Sequence, residues 1–263
     1  MYIIDGSGNT SNDEIEADGD AAAMSRQSTP IAFKGTKFDS PVLITGLPRS
    51  GTSMVAGILG ECGLWLGKTV VGGKENAKGF FENILLREKA QKAILSAAGF
   101  DPLGVRKLPP PIWHPAIPDF RSGISRLLAQ QGYDGTRPWG FKDAKMTLTW
   151  SIWREHFARA TWIIVRRPSK DVIASCLRTG FMNQHSSDPA YWRVFVKAYQ
   201  DRLLELARAA PSHFEVDSSV IVGGEFGSIR QAATAAGLEW NEDSVRNFVS
   251  ADLWHGSGAE PER

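Results

Sequence analysis

The stretch that decides the fold is PVLITGLPRSGTS, Pro41 to Ser53. Val42 to Thr45 form a short β-branched run and GLPRSG supplies a tight loop. From there the spacing turns helical, with Met54, Val55, Ile58, Leu59 and Cys62 on one face. Strand, loop and helix in that order aim unpaired backbone N–H groups and the positive end of a helix dipole at one point, where an anion belongs. The loop that holds nucleoside triphosphates reads G-x-x-x-x-G-K-[ST], with its lysine on the terminal phosphates and its hydroxyl on magnesium. Gly46 and Gly51 keep that spacing here, but Thr52 stands at the lysine position and the cation is Arg49, inside the loop. A guanidinium so placed suits an oxyanion that carries less charge than a triphosphate and is held without a metal. Taken alone, the loop also reads as an ordinary strand-to-helix turn with a surface arginine.

Composition limits what can surround such a loop. A chain of 263 residues with 42% apolar content is long enough for one large α/β domain. Its 30 basic and 29 acidic side chains leave a net charge of +1, so no global field draws nucleic acid or an anionic membrane, and any anion site is local. Cys62 and Cys176 are too few for a disulfide framework and read as reduced, buried thiols. No apolar run approaches the roughly 20 residues of a membrane span. The start, MYIIDGSGNT, lacks the basic and apolar regions of a secretory signal. A cytoplasmic location is the expectation.

Outward from the loop, residues 1–38 are small, polar and locally acidic, and read as a flexible tail ahead of a single domain over 39–263. Beyond Pro41, short β-branched runs alternate with amphipathic stretches, the pattern of a parallel sheet flanked by helices. Val42 to Thr45 and Thr161 to Val165 are the clearest strands, with Gly140 to Lys142 and Phe214 to Val216 as weaker candidates. Asp188 and Pro189 open a helix whose Trp192, Phe195, Val196, Tyr199 and Leu203 share a face. Leu148, Ile152 and Trp153 mark a second helix, and Gly237 ends a third. The segment GFDPLGVRKLPPPIWHPAIP, Gly99 to Pro118, holds too much proline for a long helix or central strand and reads as a surface excursion beside a substrate mouth.

A second anion element follows the strand TWIIV. There RRPSKDVIASC sets Arg166 and Arg167 at a C-terminal strand edge, where doubly wound sheets bind ligands, and Ser175 in the next helix. A nucleoside triphosphatase more often carries an acidic side chain at such a place, to reach magnesium. Strand alternation points the two arginines to opposite faces, so one of them reaches a ligand directly. The five histidines have no partners at metal-ligand spacing, so no metal is expected. His114 and His185 are candidates for an acceptor pocket, and Trp65, Trp113 and Trp139 for stacking on a sugar or aromatic acceptor.

Together these pieces resemble the sulfotransferases that use 3′-phosphoadenosine 5′-phosphosulfate (PAPS). PRSGTS is similar to that family's loop for the 5′-phosphosulfate, and the arginine strand with a following serine to its 3′-phosphate site. ENAKGFFEN (Glu75 to Asn83) and WGFKDAK (Trp139 to Lys145) resemble two segments of a bacterial branch. The resemblance implies a three-layer α/β fold related to P-loop nucleotide kinases, and transfer of a sulfuryl group to an acceptor hydroxyl or, less readily, an amine. It also implies roles for particular residues. Arg49 and the Ser50, Gly51, Thr52 and Ser53 segment would cradle the 5′ end, Lys142 the sulfuryl or bridging oxygens, and Arg166 or Arg167 with Ser175 the 3′-phosphate; one extra residue between Pro168 and Asp171 relative to the family's pattern leaves both arginines open, with Arg166 favoured. Acceptors compatible with it are a small molecule, a glycan or a lipid.

Two departures qualify the resemblance. Ala144 stands where the cytosolic animal enzymes carry their histidine base, which leaves Glu82 and Asp143 as candidate bases. Phe80 and Phe81 are apolar neighbours that would raise the Glu82 pKa. Met54 replaces an adenine-stacking tryptophan. The competing reading is a kinase on the same fold, with Asp217 at the end of HFEVD as its magnesium carboxylate; a non-catalytic nucleotide-binding relative is the third.

Overall fold

The structure, a computed structural model, describes residues 31–70, 72, 78–210 and 212–249. Four strands form one sheet: β1 (Val42–Gly46), β2 (Gly140–Lys142), β3 (Thr161–Arg166) and β4 (His213–Asp217). Their order is β2-β1-β3-β4 and every pairing is parallel. Both faces of such a sheet are covered by helices, which is why β1 is buried from end to end and reads as an unbroken apolar run.

Strand alternation divides the core into two layers. Leu43, Phe141, Trp162 and Ile164 face one apolar cluster, which includes the helix Pro189–Ala209 through Trp192, Phe195, Val196, Tyr199 and Leu203. Val42, Ile44, Ile163 and Val165 face the other, built on Val55, Ile58, Leu59 and Cys62 of helix α1 (Thr52–Glu61) and its C-cap, and on helices near the C-terminus. A three-layer α/β architecture results, as the sequence pattern predicts. The expected helix starts are also present. Asp188 accepts a hydrogen bond from the Ala190 amide, with Pro189 as the first helical residue. Ile152 and Trp153 are buried in the helix Trp150–His156, while Leu148 belongs to the 3-10 turn before it. Cys62 and Cys176 are both buried and unpaired.

The N-terminal boundary differs from expectation. Residues 1–30 of the expected tail lie outside the described residues, but within 31–38 Phe33 and Phe38 pack against the domain while most of their neighbours are exposed. Phe33 meets Phe38 at 4.9 Å and Tyr133 at 5.1 Å between ring centroids, and the Phe38 carbonyl accepts from Trp139 Nε1 at 3.1 Å. Composition averaged over a polar segment hid these two aromatic side chains, whose burial outweighs the entropy of ordering a few residues.

All strands run in the same sense, so Gly46, Lys142 and Arg166 end at one edge of the sheet. The turns that leave that edge build the site.

Candidate functional site

The β1–α1 loop turns sharply. Arg49 at φ 71° and Gly51 at φ 93° are both left-handed, and the Ser50 amide donates to the Leu47 carbonyl at 3.1 Å. A non-glycine residue in that region costs roughly 1–3 kcal/mol and persists only where its surroundings hold it. Arg49 is held from both ends. Its Nε donates to Ser175 Oγ at 3.1 Å, and its carbonyl accepts from Arg167 Nη1 at 3.0 Å. Gly46 admits no side chain, because an added Cβ would lie 2.6 Å from the Val165 carbonyl oxygen. Helix α1 begins with no side-chain cap at Gly51, which leaves its first-turn amides directed toward the space in front of the loop.

That space is a cavity of about 610 Å³. Arg49, Arg87, Lys92, Lys142, Lys145 and Arg167 line it, against two carboxylates, Glu82 and Asp143. A chain of net charge +1 therefore concentrates six cations on one concave surface. Field lines focus in such a cleft, and an anion is attracted far more strongly than the overall charge implies.

The two carboxylates have different settings. Glu82 Oε1 accepts from Lys142 Nζ at 3.0 Å, and Arg87 Nη1 approaches Oε2 at 3.4 Å. Lys142 also donates to the Phe80 carbonyl at 2.9 Å, the same oxygen that Ser53 Oγ reaches at 3.2 Å, so the loop and β2 grip one peptide. Burial alone would raise the Glu82 carboxyl. Lys142, Lys145 and Arg87 outweigh it and hold the group at about 2. This reverses the expectation that Phe80 and Phe81 raise it. Phe81, at φ 55°, packs edge-on against Phe248 at 5.8 Å and belongs to the other side of the segment. Asp143 is fully buried. Its Oδ1 accepts from the Lys145 amide at 2.8 Å and pairs with Lys145 Nζ at 2.9 Å, capping the 3-10 turn Ala144–Leu148. Burial raises its carboxyl against the pull of Lys145, and Glu82 adds to the rise.

The structure brings Arg49, Gly51, Thr52, Ser53, Glu82, Lys142, Asp143, Arg167 and Ser175 around one cavity. It does not bring all the expected residues there. Arg166, the favoured candidate, pairs with Glu215 of β4 at 2.5 Å and does not line the cavity, whereas Arg167 does. Burial lowers the Arg167 guanidinium from its usual value, Asp171 opposes that, and Arg49 adds to it. Ser50 is also displaced. Its hydroxyl is buried behind the loop, without a hydrogen-bond partner among the described residues, and does not line the cavity. Trp139 and Trp65 are core residues and Trp113 packs on Phe100, so none of the three is a platform in the cavity. His114 stands edge-on to Trp150, whereas His185 lines the cavity. Asp217 accepts from the Ser219 amide at 2.7 Å as a helix cap and is absent from the lining. Burial pushes the Cys176 thiol up to about 12, which removes it as a nucleophile.

Sequence reasoning gave no role to Arg87, Lys92 and Lys145. Arg87 and Lys92 bound a π-helical turn, Arg87–Lys92, whose wider winding carries both ends onto the cavity wall. Such a turn leaves no composition signal. Lys145 was visible in WGFKDAK, two residues after Asp143, and only its burial distinguishes it from a surface lysine. Residues 75–77 of ENAKGFFEN lie outside the described residues. Among the described residues, no three His, Cys, Asp or Glu side chains come together as metal ligands, and no helix is long and apolar enough to cross a membrane.

No family model matches the sequence, and no curated protein matches it significantly. Solved structures do match. The sulfotransferase STF1 of Mycobacterium tuberculosis H37Rv superposes with a TM-score of 0.50 at 15% identity, over 80% of this chain and 70% of that one. The sulfotransferase domain of the Synechococcus PCC 7002 olefin synthase superposes with a TM-score of 0.51 at 15% identity, over 87% of this chain and 82% of that one. At such identity the likeness is one of fold, and this chain shares its fold with bacterial sulfotransferases.

Proposed function

We propose that this protein is a sulfotransferase that moves the sulfuryl group of PAPS to an acceptor hydroxyl. The observation that carries the reading is the convergence of Arg49, Arg167, Ser175 and Lys142 on one cavity in front of an uncapped helix start, with no lysine in the loop. Cations from two different loops, Arg49 and Arg167, suit a nucleotide with phosphates at both the 3′ and 5′ positions. The kinase reading needs a magnesium carboxylate, and its candidate, Asp217, is occupied as a cap away from the cavity.

Each residue then has a physical task. The Gly51, Thr52 and Ser53 amides and Arg49 hold the 5′-phosphosulfate, because oriented amides and a guanidinium stabilise charge without reorganising. Arg167 and Ser175 hold the 3′-phosphate, linked to the first grip through Arg49. Lys142 is poised to neutralise charge growing on the leaving phosphate oxygen. As its ammonium turns to that oxygen, Glu82 loses its strongest cationic partner, and its carboxylate becomes a better base for the acceptor proton. Asp143 acts through Lys145, fixing the turn after β2 rather than touching the acceptor.

The test is a thermal-shift comparison. Adenosine 3′,5′-bisphosphate without magnesium should raise the melting temperature more than ATP with magnesium; the opposite ranking would establish the kinase reading instead. Transfer of label from PAPS to an acceptor completes the assignment, and bisphosphate binding with no transfer across a broad panel would favour a non-catalytic relative.

A further inference from the structure

Two non-glycine residues beside the cavity are left-handed. Arg49 is held there by its bonds to Ser175 and Arg167. Phe81, at φ 55°, is the more unusual, because a bulky aromatic residue keeps that conformation only where its surroundings impose it. The angle matters to the site. It sets the tilt of the peptide between Phe80 and Phe81, whose carbonyl oxygen accepts from Lys142 at 2.9 Å and from Ser53 Oγ at 3.2 Å. Lys142 reaches from that oxygen to Glu82 Oε1 at 3.0 Å, so one backbone angle governs how carbonyl, ammonium and carboxylate meet. Relaxation of Phe81 to the extended region would swing the carbonyl off Lys142.

The contact that holds Phe81 comes from far along the chain. The helix Glu242–Phe248, capped by Asn241, which accepts from the Ser244 amide at 3.0 Å, presents Phe248 as its last residue. The Phe248 ring meets the Phe81 ring edge-on at 5.8 Å. Its tip abuts α1, where a Cβ added at Gly57 would overlap Phe248 Cζ, so the ring seats only because that helix position is glycine. Lys78 grips the same residue twice. Its ammonium lies 4.7 Å from the ring centroid and donates to the Phe248 carbonyl. Backbone bonds fix the residues on either side of Phe81: the Phe80 amide donates to the Val70 carbonyl at 3.2 Å, and the Val70 amide to the Glu82 carbonyl at 3.0 Å. The Phe81 ring itself is left to Phe248 and the apolar layer around α1. Phe80 and Glu82 line the cavity whereas Phe81 and Phe248 do not, so this contact acts from behind.

Resting on the sulfotransferase reading for its catalytic meaning, we infer that Phe248 is a positioning residue: through Phe81 it sets the Phe80 carbonyl and the Glu82 carboxylate against Lys142. The helix near the C-terminus then belongs to the active site without touching a substrate. Loss of the ring frees Phe81, and Lys142 is no longer aligned between its two acceptors. A carboxylate parted from its cation returns toward the ordinary carboxylate range.

The test reads the Glu82 carboxyl directly. The full-length protein is isotope-labelled at its glutamate carboxyl carbons, and the Glu82 resonance, assigned by its loss in Glu82→Gln, is followed by NMR from about pH 7 to about pH 3.5. In the wild type it should stay constant, because Lys142, Lys145 and Arg87 hold the group at about 2. In Phe248→Leu, which keeps most of the apolar volume but removes the ring, it should titrate with a midpoint moved up toward about 4. Lys78→Met, at an exposed position, should move it less and in the same direction. Glycine adopts the left-handed angle at no steric cost, so in a Phe81→Gly background Phe248→Leu should add no further shift. A wild-type titration in folded Phe248→Leu would overturn the inference, as would shifts that add in the double variant. If Phe248→Leu does not fold, a wild-type titration in Lys78→Met overturns it instead. Affinity for adenosine 3′,5′-bisphosphate should change less than about threefold in Phe248→Leu, since Arg49, Arg167 and Ser175 are held by one another; a loss of about tenfold or more would show that the ring serves the donor grip rather than Glu82. Absence of bisphosphate binding in the wild type would overturn the sulfotransferase reading alone, with the Glu82 titration still deciding what Phe248 does.

Discussion

The cationic and the apolar parts of the cavity lining are built on different plans. Lys142 ends β2, and Arg49 and Arg167 follow the ends of β1 and β3, where strand register fixes the backbone and carbonyls and carboxylates grip the cations. The apolar lining comes from Leu103 and Val105 of the proline-rich excursion and from Phe181 and Met182 of a short helix, Gly180–Asn183; Leu103 and Phe181 are exposed, Val105 and Met182 buried. This contrast shows where position is constrained. Charges that converge on one point are best fixed by the sheet, while an apolar lining can ride on loops braced by a few hydrogen bonds.

The largest effect that would sharpen this contrast lies in the charged lining. Glu82→Gln should keep bisphosphate binding and lower turnover at least about 100-fold, measured as kcat with saturating donor. Unchanged turnover would exclude Glu82 as the proton acceptor. Next is Lys142→Met, which strands a buried carboxylate and should cost about 3 kcal/mol in urea denaturation; the double variant with Glu82→Leu should recover most of it. This pair also has a pH signature. The Glu82 pKa, about 2 in the folded chain, lies below its unfolded value, so its stabilisation is present in full above about pH 4.3 and is lost as pH falls toward 2. The stability gap between wild type and Glu82→Gln should shrink over that window, and a constant gap would show that the carboxylate is not held ionised.

Smaller effects separate the arginines. Arg49→Met and Arg167→Met should each weaken adenosine 3′,5′-bisphosphate by roughly 10- to 100-fold in calorimetry, the worth of a charged hydrogen bond of about 1.5–3 kcal/mol. Arg166→Met, which breaks only a partly exposed pair with Glu215, should change that affinity less than about threefold. A loss at Arg166 equal to that at Arg167 would erase the distinction between the two arginines.

Much of the fold was legible in local pattern. Val42 to Thr45 and Thr161 to Val165 stood out as β-branched runs, the other two strands only weakly, and Asp188 with Pro189 announced a helix whose buried face was readable at 3.6-residue spacing. The loop at Arg49 was visible as a motif, because close approach of backbone to an anion demands glycine and hydroxyl residues in fixed order, whereas the segment around Lys142 was visible only through its resemblance to a family pattern. Pairwise choices were not. Arg166 and Arg167 are adjacent in the chain, so local pattern cannot separate them, and the partner that draws Arg166 aside, Glu215, arrives from β4 nearly fifty positions later. The expected rise of the Glu82 pKa fails for a similar reason: Phe80 and Phe81 stand beside it in the sequence, but its neighbours in space are Lys142 and Arg87.

What the sequence alone determined is periodicity and the order of turns, and hence a parallel sheet with an anion-seeking loop at its edge. Both follow from sterics and hydrogen bonding over a few residues. Only the tertiary structure decided which charges meet. Protonation, ion pairing and the choice of Arg167 over Arg166 depend on distances across the sheet, and a Coulomb interaction is set by separation in space rather than along the chain.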